Sequence, residues 1–232
     1  MPRASSKRKS RPLNSAPAAK SSRVDSSSSA SRKALSKVRQ LVDSFFESYV
    51  NKSLGMIDPE GIEALCLDLQ VDHTDVRILM LAWKMKAEKQ GYFTQEEWRR
   101  GLDALKVDTI SKLKKSLSNL EKEVSKPENF DDFYMYAFRY CLTEEKQKCV
   151  DIESACVLLD LVLGPKYRSQ VEYFTKYLKS QKEYKVINKD QWLNFLRFCQ
   201  EISFPDLENY DSDQAWSLIL DNFVEWMKSK AS

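Results

Sequence analysis

The 232-residue sequence contains one histidine, five glycines and five cysteines, and each scarcity removes a class of function. A single histidine, His73, leaves few side chains able to exchange protons near neutral pH, and it leaves a Cys/His zinc site short of ligands. The glycines, at positions 55, 61, 91, 101 and 164, are never clustered, so no phosphate-cradling loop is present. Cys66, Cys141, Cys149, Cys156 and Cys199 form no CxxC pair and stand mostly in apolar stretches, which points to reduced structural thiols. Cys149, beside Lys148, is the one cysteine with a charged neighbour, and it reads as a turn residue. No apolar run approaches the roughly 20 residues that a membrane-spanning helix needs, and the N-terminus lacks a signal-like apolar stretch. The expectation is a soluble intracellular protein with no catalytic residue, no cofactor and no membrane contact.

The charge is divided unevenly. Residues 1–33 carry nine Lys or Arg against one acid, a net +8, and the remaining residues carry 28 bases against 33 acids, a net −5. The first segment also holds eleven serines and three prolines with almost no large apolar side chain, so it is expected to be a disordered basic tail. Its run Lys7-Arg8-Lys9-Ser10-Arg11 suits nuclear import and a solubilising arm about equally. The acidic remainder disfavours a phosphate backbone and favours a basic protein surface.

From Ala34 onward, apolar residues recur at steps of three and four, which makes the class all-α. Leu35, Val38, Leu41, Val42, Phe45, Phe46 and Tyr49 mark one face of a first helix. Asp58 and Pro59 open a second, and a third runs from about Thr74 to Lys86. The pair Thr94 and Glu97 forms a capping box for a fourth. A fifth follows Ile110, and Pro127 is a break before a sixth over Asn129 to Cys141. Asp151 caps a seventh that stops at Gly164-Pro165, and Val171, Phe174 and Leu178 belong to an eighth. Asn188 with Gln191 opens a ninth, and the last is expected from about Asp213 to Lys228. Only Lys185-Val186-Ile187 looks like a strand.

The first four helices read as a repeated helix-loop-helix. With Gly91 at the sixth position of a calcium-type loop, Lys86 stands first, Phe93 eighth and Glu97 twelfth. With Gly55 at the sixth position of a companion loop, Val50 stands first, Ile57 eighth and Gly61 twelfth. The frame is that of an EF-hand, but a hard cation needs oxygen donors where Lys86 and Val50 stand. The predicted organisation is therefore an EF-hand-like half over residues 34–106 followed by a C-terminal helical half over 107–228.

The block from Asn209 to Trp226, together with Lys189-Asp190-Gln191-Trp192, Leu81-Ala82-Trp83-Lys84 and Gly91-Tyr92-Phe93-Thr94, resembles the defective-in-cullin-neddylation family. The matches cover nearly all of residues 34–228. The resemblance implies a non-catalytic scaffold-type ligase component with two partners. An acidic patch for the C-terminal domain of a cullin falls on Asp190, Ala215 and Asp221. If Ala215 and Asp221 share one helix, they stand roughly 120° apart around its axis. The sequence departs from the family at Gln214, where a glycine usually precedes Ala-Trp, and at Asn222, where an acid is common. A pocket for the acetylated N-terminus of the neddylation conjugating enzyme falls on Ile62, Ile78, Leu79, Ala82, Gln90, Phe93, Tyr140, Leu158 and Leu161. Most of these residues suit a core as well as a pocket. A monomer in nucleus and cytoplasm, with no nucleic acid as partner, is the expected form. The rival readings are a calcium sensor and a nucleic-acid-binding protein that uses the basic tail.

Overall fold

A computed structural model describes residues 25–231, with side chains from residue 35 to residue 230. Residues 1–24, which hold most of the expected tail and its Lys7–Arg11 cluster, lie outside the described residues. The chain divides into two units at Lys37/Val38, and the described backbone of the first, residues 25–37, is helical.

The described residues contain ten helices in the predicted order, and the fold is all-α. Helix α1 spans Asp25–Glu47. It begins well before Ala34, so residues 25–33, assigned to the tail on composition, continue the helix. Its stripe is buried at Val42, Phe45 and Phe46, whereas Val38 and Leu41 are exposed, because periodicity marks a face without saying how far that face is covered.

Helices α2 (Pro59–Leu69) and α4 (Gln95–Leu105) start where their caps predict, and α3 (Val76–Met85) starts two residues after the expected Thr74. Asp58 accepts from the Gly61 N–H, Asp75 from the Arg77 N–H, and Thr94 forms its capping box with Glu97. Helix α5 covers Ile110–Val124. Helix α6 covers Pro127–Tyr140, so Pro127, expected to be a break, is its first residue, where its missing N–H costs nothing. Helices α7 (Ile152–Val162), α8 (Arg168–Ser180), α9 (Lys189–Glu201) and α10 (Leu218–Ala231) complete the series. Asp151 caps α7, and Asn188 with Gln191 boxes α9.

The two short strands β1 (Val50–Asn51) and β2 (Met56–Ile57) pair within the first loop. Ile57 and Phe93, the two predicted eighth positions, then exchange backbone hydrogen bonds, each N–H donating to the other carbonyl at 2.9 Å. This bridge joins the connections that enter α2 and α4. The same device recurs in the second half. Strand β3 (Cys149–Asp151) pairs with β4 (Val186–Asn188), and these strands lead directly into the caps of α7 and α9. Cys149 is thus a strand residue and not part of a turn.

Gly61 is required by packing, since a Cβ there would lie 2.2 Å from the Tyr49 carbonyl oxygen. The core is aromatic in its second half: Phe174, Phe195, Phe198 and Phe223 are each no more than 2% exposed and in mutual ring contact. Burial of such rings is the main source of stability on this side of the molecule.

Candidate functional site

Two groups of residues follow from the sequence, one on the surface around α9 and α10 and one around α3, α6 and α7. On the first, the capping box of α9 sets Asp190 in the opening turn, exposed, where the helix's free N–H groups favour a carboxylate. Two residues further on, Trp192 turns inward and is 1% exposed. Its indole N–H donates to the Tyr134 carbonyl at 3.0 Å, and the Tyr134 hydroxyl donates to the Trp192 carbonyl at 2.9 Å. Asp190 therefore rises from a turn fastened to α6.

Helix α10 begins at Leu218 and not near Asp213. Ala215 lies in the irregular segment before it, exposed, so the helical angle between Ala215 and Asp221 does not apply. Arg197 of α9 holds this segment. Its guanidinium donates to the Gln214 side chain at 3.2 Å and lies over the Trp216 ring at 4.1 Å. The Trp216 indole N–H donates to the Asp211 carbonyl at 3.1 Å. Arg197 follows Asp190 by seven residues, two turns, so both face the same way and stand roughly 10 Å apart along the axis. The α9 face that carries Asp190 is thus the face that meets the Ala215 segment.

Asp221, half-buried in the first turn of α10, accepts from the Tyr210 hydroxyl at 2.6 Å. Burial, with the neighbouring Asp221 carboxylate, pushes the Tyr210 phenol far above its ordinary value, so it is a hydrogen-bond donor at any physiological pH. The Tyr210 ring stacks on Trp216 at 5.5 Å. Asn222 donates to the Tyr184 hydroxyl at 2.9 Å. Both departures from the family pattern, Gln214 and Asn222, are therefore bonded to neighbours. Arg197, Tyr210 and Tyr184 were not found from the sequence, because each acts on residues 11 to 38 positions away.

The second group is mostly closed. Ile62 of α2, Ile78, Leu79 and Ala82 of α3, Phe93, Tyr140 of α6 and Leu158 of α7 are buried, Leu161 is half-buried and Gln90 is exposed. Tyr140 accepts from the Gly91 N–H at 3.3 Å, which ties the α3–α4 connection to the end of α6. Burial pushes its phenol up to about 12. A cavity of about 780 Å³ lies beside this group and shares only Tyr140 with it; Trp83, Lys86, Ala87, Arg100 and Tyr136 also line it.

The calcium-type loops hold hydrogen bonds where a cation would need free oxygens. Glu97, at the twelfth position, accepts from the Glu88 N–H at 2.9 Å and from the Thr94 N–H at 2.7 Å. Lys86, at the first position, is the left-handed C-cap of α3. The donor set does not fit a hard cation. Burial also pushes the thiols up, Cys141 to about 11 and Cys199 further, which leaves neither as a nucleophile.

The sequence pattern of the family described as cullin binding matches residues 112–226. The chain is 43% identical to Homo sapiens DCN1-like protein 4 over 175 residues, which are 75% of this chain and 59% of that relative. It is 39% identical to Homo sapiens DCN1-like protein 5 over 173 residues, 75% of this chain and 71% of that relative. The chain belongs to the DCN1-like family. With the Danio rerio DCN1-like protein 4 the identity is 41%, over 61% of that relative's length. The DCN1-like chain thus spans about three-fifths of the Homo sapiens and Danio rerio DCN1-like protein 4 relatives. The matched pattern runs from α5 to α10 and contains Asp190, Ala215 and Asp221. Of the second group, it contains Tyr140, Leu158 and Leu161 only.

Proposed function

We propose that this DCN1-like chain is a non-catalytic scaffold for cullin neddylation, a co-ligase that holds a cullin C-terminal domain and the conjugating enzyme together. What supports the reading is that Asp190 and Ala215 are exposed and Asp221 half-buried inside the segment that matches the cullin-binding pattern, with Arg197 bonded to the neighbours of Ala215 and Tyr210 to Asp221. Two carboxylates pair with a basic partner there, and the small Ala215 side chain permits close approach.

The conjugating enzyme is read as the second partner, docking its acetylated N-terminus among Ile62, Ile78, Leu79, Ala82, Phe93 and their neighbours. A capped amide terminus is uncharged, so apolar walls bury it at small desolvation cost. The near-closure of that group means that docking needs side-chain movement, for which half-buried Leu161 and exposed Gln90 are the open side. The thioester cysteine belongs to the partner, and this chain supplies proximity and orientation.

The test is binding of a cullin C-terminal domain to the full chain and its variants. Asp190→Lys and Asp221→Lys should each abolish binding while the far-ultraviolet circular dichroism stays unchanged. Removal of residues 1–24, which precede α1, should leave it intact. Undiminished binding by both charge reversals would refute the reading, and salt-sensitive nucleic-acid binding lost with residues 1–24 would favour its rival.

A further inference from the structure

We propose that Tyr210 is a positioning residue of the cullin-facing surface: it acts through Asp221, holding that carboxylate in one rotamer and tying it to the segment that bears Ala215. The inference rests on the reading of Asp221 as a cullin contact.

Three observations carry it. First, the 2.6 Å bond engages Oδ1 of Asp221, and Oδ2 accepts from no other described residue. A carboxylate has acceptor sites on both oxygens, so one is fixed while the other stays available to a partner. Second, the Tyr210 ring is held independently of its hydroxyl. It stacks on Trp216 at 5.5 Å with planes 23° apart, contacts Phe198 at 6.0 Å, and its backbone N–H donates to the Leu207 carbonyl at 3.1 Å. A phenylalanine would fill this place equally well. Third, Asp221 is the hydroxyl's sole acceptor among the described residues. The hydroxyl therefore has one task, the orientation of Asp221.

The chain of contacts has a direction. Arg197 fixes Gln214 and Trp216, Trp216 fixes the Tyr210 ring, and the Tyr210 hydroxyl fixes Asp221. A side chain ordered before binding loses less freedom when the complex forms. Charge steers the encounter, while a fixed geometry prolongs the complex, so the two roles separate in the rate constants.

The experiment measures association and dissociation rates of a cullin C-terminal domain with the full chain, Tyr210→Phe, Asp221→Ala and the double variant. Tyr210→Phe keeps the charge and the ring stack, so dissociation should quicken by about tenfold, the size of one hydrogen bond to a charged group, with association almost unchanged. In the Asp221→Ala background the same substitution should add nothing. Equal weakening in both backgrounds, or unchanged kinetics in Tyr210→Phe while Asp221→Ala weakens binding, would overturn the positioning role. If Asp221→Ala and Asp221→Lys both bind normally, it is the cullin reading that fails. A urea titration of Tyr210→Phe separates these outcomes from loss of the fold.

Discussion

Tyr134 and Trp192 hydrogen-bond each other twice, hydroxyl to carbonyl at 2.9 Å and indole N–H to carbonyl at 3.0 Å, with their rings stacked 4.4 Å apart. Both side chains are at most 1% exposed, so the reciprocal pair satisfies two buried donors, the Tyr134 hydroxyl and the Trp192 indole N–H. It also fastens α9 to α6 two residues after Asp190. The position of the acidic surface thus depends on a lock in the core.

Replacing either residue removes one of the two buried bonds between α6 and α9. Tyr134→Phe should destabilise the protein by about 1 kcal/mol in urea unfolding, and Trp192→Phe by more for its lost volume. Because the residues share one network, the double variant should cost less than the sum. Strict additivity would show that the two bonds act independently.

The ion pair between α1 and α4 should appear in the acid limb of stability. Arg99 donates to both oxygens of Asp43, at 2.6 and 2.8 Å, and those bonds hold the Asp43 carboxyl below its usual range, with Arg39 adding to the effect. A depressed carboxyl contributes stability that is complete above its unfolded value, about 3.9, and is lost as pH falls through the folded value. Asp43→Asn should therefore cost about 1 kcal/mol at pH 7, and this gap should close below about pH 4. A gap that widens on acidification would contradict the assigned sign.

Glu97 serves the fold as an acceptor for backbone N–H groups. Glu97→Ala leaves the Glu88 and Thr94 amides without their partner, and a loss of about 1–3 kcal/mol is expected. Millimolar calcium should leave the melting temperature of the natural chain unchanged, since ligand binding to the native state would raise it. A calcium-dependent rise abolished by Glu97→Ala would restore the sensor reading.

How much of this was legible in the sequence is clearest at particular residues. Asp58, Thr94, Asp151 and Asn188 cap their helices as predicted, since a cap is an interaction across three residues. The loop frame placed Ile57 and Phe93 at matching eighth positions, but that they exchange backbone hydrogen bonds came from the structure. By contrast, of the second strand pair only β4 showed, in Lys185-Val186-Ile187; its partner β3 is three residues long, too short for alternation to show, and the pairing joins positions 35 to 39 apart. The cavity beside Tyr140 likewise leaves no periodic trace.

The sequence by itself determined the all-α class, the order of the ten helices, the family and the carboxylates on offer, since these rest on local periodicity, caps and residue identity. Only the tertiary structure decided where α10 begins, that Ala215 lies outside it, and which side chains hold the surface in shape. Those facts depend on Arg197 and Tyr210 meeting residues 17, 19 and 11 positions away, and such meetings are fixed by the packing of whole helices against each other.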